Sequence, residues 1–190
     1  MIKIAVIGTA GRDKTKPMTH ALWVWMVQEA RKRIPRDAHL ISGGAAWADH
    51  LAVHLFLEGF TDRLTLHLPA PITKGVRDKE PSFFRGRYKS AASAANYYHE
   101  RFSQVIGRNS IDEIVEASTW ASCDGGYEPE AEGYGAMFAR NAKVAAEIGP
   151  NDGLIAFTFG QDKEPDDGGT KDTWDKCKGE RLHITLPTNL

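Results

Sequence analysis

The sequence predicts a single α/β domain, a mainly parallel sheet with helices on both faces. Short β-branched runs alternate with segments of helical periodicity from the N-terminus onward. Glycine-rich loops at Gly8, at Gly43–Gly44 and at Gly168–Gly169 all lie downstream of such runs. The chain has 190 residues and 42% apolar content, enough to bury one core.

Lys3 to Ile7 is a β-branched run opening into Gly8-Thr9-Ala10-Gly11-Arg12, the pattern of a buried parallel strand and its loop. Met18 to Ile34 carries Leu22, Trp23, Met26, Val27 and Ala30 at helical spacing, and Pro35 ends that helix. His39 to Ile41 is a second strand, followed by Ser42-Gly43-Gly44. Ala45 to Glu58 reads as a helix closed by Gly59, and Arg63 to Leu68 as a third strand stopped by Pro69 and Pro71. Residues 71–81 are loop, Ser82 to Gly107 is mostly helical, and Ile111 to Ala117 fits either a short strand or a helical turn. Asp124 to Pro129 is loop and Tyr134 to Ile148 helix. A strand at 153–159, an acidic loop, a helix from Lys171 to about Lys178 and a strand at Arg181 to Leu186 complete the chain.

Net charge is −1, which argues against broad nonspecific duplex DNA binding and leaves room for a local basic groove. Cys123 and Cys177 are far apart and lack metal-type spacing, so free thiols are expected. No apolar run reaches the roughly 18 residues of a membrane span, and the N-terminus has no signal-peptide pattern. The expectation is a soluble cytoplasmic protein.

Loops that follow parallel strands emerge on one edge of the sheet, where ligands bind at the switch in strand order. Gly8–Arg12, Ser42–Gly44 and Gly168–Thr170 should therefore meet there. Glycines admit close backbone approach, and the first turn of a helix after Gly168-Gly169-Thr170 offers unpaired N–H groups to an anion. The same tripeptide also suits an ordinary loop and cap. Arg12 and Arg140 are candidate phosphate partners or ordinary surface ion pairs. Gly8-Thr9-Ala10-Gly11 does not satisfy a dinucleotide fingerprint, and no P-loop or G-x-S-x-G nucleophile motif is present.

Taken in order, Gly8-Thr-Ala-Gly-Arg12, Ser42-Gly-Gly-Ala-Ala-Trp-Ala-Asp-His-Leu-Ala52, Leu68-Pro-Ala70, Ala139-Arg-Asn141 and Gly168-Gly-Thr170 resemble the SLOG superfamily. These are Rossmann-like proteins that include the Smf/DprA and Lonely Guy groups, and the likeness is nearest to the YspA-like branch. Against that pattern, about 71–128 reads as an insertion into one domain spanning 1–190. The resemblance implies a nucleotide or nucleotide-derived ligand, its phosphate on Gly168, Gly169 and Thr170. Gly8, Thr9, Gly11, Arg12, Ser42, Gly43, Gly44, Arg140 and Asn141 would form the rest of the site. It also implies one of three activities: hydrolysis or transfer at an N-glycosidic bond, non-catalytic sensing or carriage of a nucleotide, or single-strand nucleic-acid binding. Hydrolases of the Lonely Guy group place a glutamate where this chain has Thr173. Asp172 is its neighbour, turned about 100° around a helix, and with Asp49 it is a catalytic candidate. Trp47 stands where related proteins have glycine and is expected to close or stack over the pocket.

Asp49 sits at the start of the second helix, as a helix cap or as a ribose acceptor or general base. Asp13 either serves similarly or only pairs with Lys14 or Lys16. Asp162, Glu164, Asp166 and Asp167 are either a solvated loop or candidate Mg²⁺ ligands beside a phosphate. His20, His39, His54, His67, His99 and His183 show no metal-ligand spacing. The aromatic and basic segment 83–102 either stacks bases on Phe84, Tyr97 or Tyr98, or turns its aromatics to the core and its basic face to water. Trp23 and Trp25 cannot both face the sheet, so one is a candidate contact in a homo-oligomer.

Overall fold

Lys3–Gly8 forms strand β1, and its pairing fixes the whole sheet. A computed structural model describes residues 1–73, 80–120, 135–166 and 168–190. On one side β1 pairs in parallel with β2 (His39–Ser42), which pairs with β3 (Arg63–Leu66). A two-stranded antiparallel ribbon, β4 (Ile72–Thr73) and β5 (Ser82–Phe83), stands apart from this sheet. On its other side β1 pairs with β6 (Gly153–Thr158), which pairs with β7 (Glu180–Thr185). The order is β3-β2-β1-β6-β7, every pair parallel, so the winding direction switches between β1 and β6.

Strand alternation sends side chains into two cores. Ile4 and Val6 of β1, Leu40 of β2, and Ile155 and Phe157 of β6 join the larger one. It is covered by α1 (His20–Arg33), α2 (His50–Leu57), α3 (Lys89–Ile106) and α4 (Ser110–Trp120). Ala5 and Ile7, Ile41, and Leu154 and Ala156 face the opposite way, toward Val144 of α5 (Gly135–Ala146) and Trp174 of α6 (Gly168–Lys176). The expected α/β architecture, with helices on both faces, is the one observed.

The helix ends follow local chemistry. The Thr19 hydroxyl accepts the Leu22 N–H at 3.1 Å to start α1. After α2, Gly59 N–H donates to the Phe56 carbonyl and Phe60 N–H to that of Leu55, a Schellman stop with Gly59 at φ 68°. Asn109 Oδ1 accepts the N–H groups of Ile111 and Asp112, so 111–117 lies inside helix α4 and is not a strand.

Other boundaries moved for longer-range reasons. Asn96 accepts the Phe83 N–H at 2.8 Å and donates to its carbonyl at 3.0 Å, holding 82–83 extended where a helix was expected. A 3-10 turn at Gly86–Tyr88 then leads into α3. Residues 46–49 form tight turns and α2 begins only at His50, because Trp47 adopts a left-handed φ of 64°. The last helix starts at Gly168, so Gly-Gly-Thr is its first turn and not the loop before it. The described part of the expected 71–128 insertion shares the main core through Phe102 and Ile114. The loop at 124–129, Cys123 and Asp167 lie outside the described residues. Cys177 is a buried free thiol, its pKa pushed up by burial.

Phe102 is fully buried, its ring 4.9 Å from Trp23, 4.8 Å from Trp47 and 5.2 Å from His50. Phe102→Ala should therefore destabilise the fold by about 3–5 kcal/mol in urea denaturation. A loss under about 1 kcal/mol would show that α3 does not support the Rossmann-like core.

Candidate functional site

The carboxyl ends of β1 and β6 flank the switch point, and a cleft of about 520 Å³ opens there. Gly8 closes β1. A Cβ on it would lie 2.1 Å from the Phe157 carbonyl oxygen, so only glycine allows the two strand ends to stay paired. The next residue continues the pairing, with Thr9 N–H donating to the Phe157 carbonyl at 2.9 Å. The Thr9 hydroxyl accepts the Gly11 N–H at 3.1 Å and shapes the turn.

The cleft floor is a buried ion pair. Arg140, from α5, donates through Nη1 to the Gly43 carbonyl at 2.9 Å and lies 3.6 Å from Asp49 Oδ2. Its Nε donates to Asn141 Oδ1 at 3.0 Å. Burial pushes the Asp49 carboxyl above its ordinary range, against the opposing pull of Arg140 and of the backbone N–H groups of Ala45, Gly43 and Gly8. Burial likewise lowers the Arg140 pKa, and the Asp49 charge resists that. Gly43 has no room for a side chain: a Cβ would meet Arg140 Cδ at 2.5 Å and Asp49 Oδ2 at 2.7 Å. Asp49 holds the N-cap position of α2, but its side chain makes no capping bond there. It locks the β2–α2 loop to α5.

The first turn of α6 forms another wall, with Gly168, Gly169 and Thr170 all lining the cleft. The Thr170 hydroxyl donates to the Gly8 carbonyl at 3.0 Å, tying α6 to β1. Asn141 Nδ2 donates to the Gly169 carbonyl at 3.2 Å, tying it to α5. No described residue accepts from the backbone N–H groups of Gly168, Gly169 or Thr170. These amides carry the positive end of the helix dipole. Arg12 and Lys16, on the loop after β1, line the same cleft, as do the carboxylates Asp13 and Asp166. The free amides and the two cations suit an anion.

The structure brings together Gly8, Thr9, Arg12, Gly43, Asp49, Arg140, Asn141, Gly168, Gly169 and Thr170. Gly11, Ser42, Gly44 and Asp172 do not line the cleft. Ser42 donates to the Asp49 carbonyl at 2.8 Å and accepts the Gly44 N–H at 3.0 Å. Gly44, at φ 61°, makes room for Leu68 rather than for a ligand. Gly11 makes room for the Trp47 indole, whose Nε1 would lie 3.1 Å from a Cβ. Trp47 itself is buried against Phe102 and does not roof the cleft. Asp172 pairs with Lys176 at 2.7 Å, whereas Thr173, one position on, faces the cleft and donates to the Gly169 carbonyl at 3.0 Å.

Of the acidic loop, Asp166 lines the cleft and Glu164 pairs with Lys171 at 3.7 Å. Among the described residues no group of three or more His, Cys, Asp or Glu side chains is placed to hold a metal ion. No helix among them is long and apolar enough to cross a membrane.

The chain is similar to "Uncharacterized protein R261" of Acanthamoeba polyphaga mimivirus, with 34% identity over 195 residues, spanning 97% of this chain and 96% of the viral one. The two belong to one family. No family model matches the chain, and no solved structure matches it. The likeness to the viral family member runs through nearly the full length, so it takes in the segment before α5 as well as the glycine loops.

Sequence reasoning missed Lys16 and Thr173 as lining residues, and it missed His99 as a support. His99 bonds Gly44 O through Nε2 at 3.0 Å and Ser110 Oγ through Nδ1 at 2.9 Å. Complete burial pushes its pKa down to about 3, so the ring is neutral and Nε2–H donates to the carbonyl. Its only sequence signal is a histidine on the buried stripe Ala91, Ala92, Ala95, His99, Phe102. A histidine lowered in the folded state stabilises fully above its unfolded pKa of about 6.5, and that stability drains away as pH falls. His99→Gln should therefore flatten the stability–pH curve between about pH 6 and 4, by up to about 1.4 kcal/mol per pH unit. Parallel curves for the two proteins in pH-dependent melts would show that the ring is not held neutral.

Proposed function

We propose that this protein is a SLOG-type binding module whose cleft takes a phosphorylated, nucleotide-type small molecule. One observation carries the phosphate assignment: the first turn of α6, with no described partner for its amides, lines a cleft at the strand-order switch together with Arg12 and Lys16. The nucleotide class rests on the resemblance of the glycine loops to SLOG proteins. A binding role is favoured over catalysis because the cleft's most buried carboxylate, Asp49, is committed to Arg140 and three backbone amides. Position 173, where a catalytic glutamate would sit, is threonine.

A second reading, hydrolysis or transfer at an N-glycosidic bond, has one observation in its favour. Asp49 does line the cleft, and burial raises its pKa in the direction a general acid or base needs. Incubation with a panel of nucleoside monophosphates, followed by chromatography and mass spectrometry for free base, separates the two. The binding reading expects intact nucleotide, and base release would replace it with the second.

Lys16→Ala should weaken binding of a nucleoside monophosphate about tenfold, the scale of one hydrogen bond to a charged group. The matching nucleoside should be affected less than about twofold. Equal loss for both in calorimetric titrations would remove the phosphate from this site. Asp49→Asn leaves Arg140 buried without its counter-charge and should destabilise the fold by about 3–5 kcal/mol in urea denaturation. An unchanged midpoint would show that the pair does not hold the loop.

A further inference from the structure

Beside the cleft, one surface gathers cations and tyrosines in two adjoining grooves. Some cations elsewhere are matched, Lys3 with Glu147, Arg31 with Glu58, Lys32 and Arg33 with Glu29, Arg108 with Glu113 and Lys176 with Asp172, while others, Arg36, Arg87, Lys143 and Arg181 among them, also make no salt bridge with a described residue. Arg12, Lys14, Lys16, Lys89 and Arg101 make no salt bridge with any described residue. All five line two grooves that adjoin the cleft.

The first groove, about 250 Å³, runs from Lys14 and Lys16 past Tyr98 to Arg101. The second, about 740 Å³, runs from Arg12 along Lys89, Ser93, Tyr97 and Tyr98. Arg12 belongs to both the cleft and the second groove, and Lys16 to both the cleft and the first. Asp13 is the carboxylate of the first groove, beside Lys14 and Lys16, and it also lines the cleft.

The α3 side of this surface follows helical spacing. Lys89 and Ser90, Ser93 and Ala94, Tyr97 and Tyr98, then Arg101 recur every three to four residues on one face. The opposite face carries the buried stripe that ends in Phe102 and Ile106. The helix therefore turns Phe102 and His99 to the core, keeps Tyr97 outward at 45% exposure, and leaves Tyr98 half-buried at the groove edge against the core. The tyrosine rings meet edge to face at 5.2 Å and 80°. Arg12 lies 5.8 Å from the Tyr98 ring centre, and Arg101 lies 5.6 Å from that of Tyr97. Cations interleaved with one exposed and one half-buried aromatic ring match a ligand that alternates phosphates with flat bases. An acidic peptide would use the cations and leave the rings without a role.

We infer that the ligand is longer than one nucleotide: with one phosphate in the cleft, a second, phosphate-linked nucleotide lies on the α3 face, its base on Tyr97 or Tyr98 and its phosphate between Arg12 and Arg101. This rests on the reading of the cleft as a phosphate site. Two sources share the chemistry, a phosphodiester-linked single strand and a pyrophosphate-linked dinucleotide.

The test is a set of titrations at fixed low salt with adenosine 5′-monophosphate, a 5′-phosphorylated deoxyadenosine dinucleotide, its tetranucleotide, and diadenosine diphosphate. At least one linked pair should bind tenfold or more tighter than the monophosphate. Tyr97→Ala and Lys89→Glu, both surface changes on α3, should each reduce that gain at least fivefold while monophosphate binding stays within twofold. A further gain for the tetranucleotide, with a steep salt dependence, identifies a strand. A preference for diadenosine diphosphate, with no gain from length, identifies the pyrophosphate dinucleotide.

Monophosphate binding with no gain from any second nucleotide overturns the inference and leaves the cleft reading standing. A gain unaffected by both α3 variants, or equal displacement of the dinucleotide by polyglutamate, also overturns it. Absence of monophosphate binding together with no binding of any linked ligand overturns both.

Discussion

The buried Arg140–Asp49 pair is the constraint on which the rest of the site depends. It joins α5 to the loop between β2 and α2, across the point where the sheet reverses its winding. Two charges taken from water are costly unless each keeps its partners. Here the guanidinium has the Gly43 carbonyl, Asn141 and Asp49, while loop amides face the carboxylate. The loop must therefore stay where it is for the pair to remain buried. Gly43 is the consequence, because any side chain would occupy the space of both partners.

Around that pair the cleft is built from second attachments. Thr170 bonds to the end of β1, Asn141 to the first turn of α6, and His99 to the carbonyl of Gly44. Each attachment uses up a group that local sequence leaves open as a ligand contact. What is left lining the cleft is the backbone N–H groups of α6, the cations Arg12 and Lys16, and the carboxylates Asp13 and Asp166. The polar groups that fix the architecture and those left over for a ligand are thus largely different groups. The separation suits a rigid binding site better than one whose residues must change protonation.

Much of the fold was legible locally. Pro35, Gly59 and the alternating runs at 3–8, 39–42 and 153–158 mark elements through backbone sterics and side-chain period, and these act within a few residues. The boundaries that moved were set from a distance. Asn96 holds Phe83 extended from 13 positions away. Trp47 takes a left-handed conformation at the end of a glycine loop, buried against a ring from α3. Neither effect has a signature in the residues beside it.

The same division runs through the site. The sequence by itself determined that three glycine loops would gather at the carboxyl edge of a parallel sheet, because parallel connections leave no other arrangement. Only the tertiary structure decided what the glycines are for. Gly43 makes space for Arg140 and Asp49, Gly44 for Leu68 and Gly11 for Trp47. A missing side chain looks the same in sequence whether its space is taken by a ligand or by a residue about a hundred positions away, and packing alone tells the two apart.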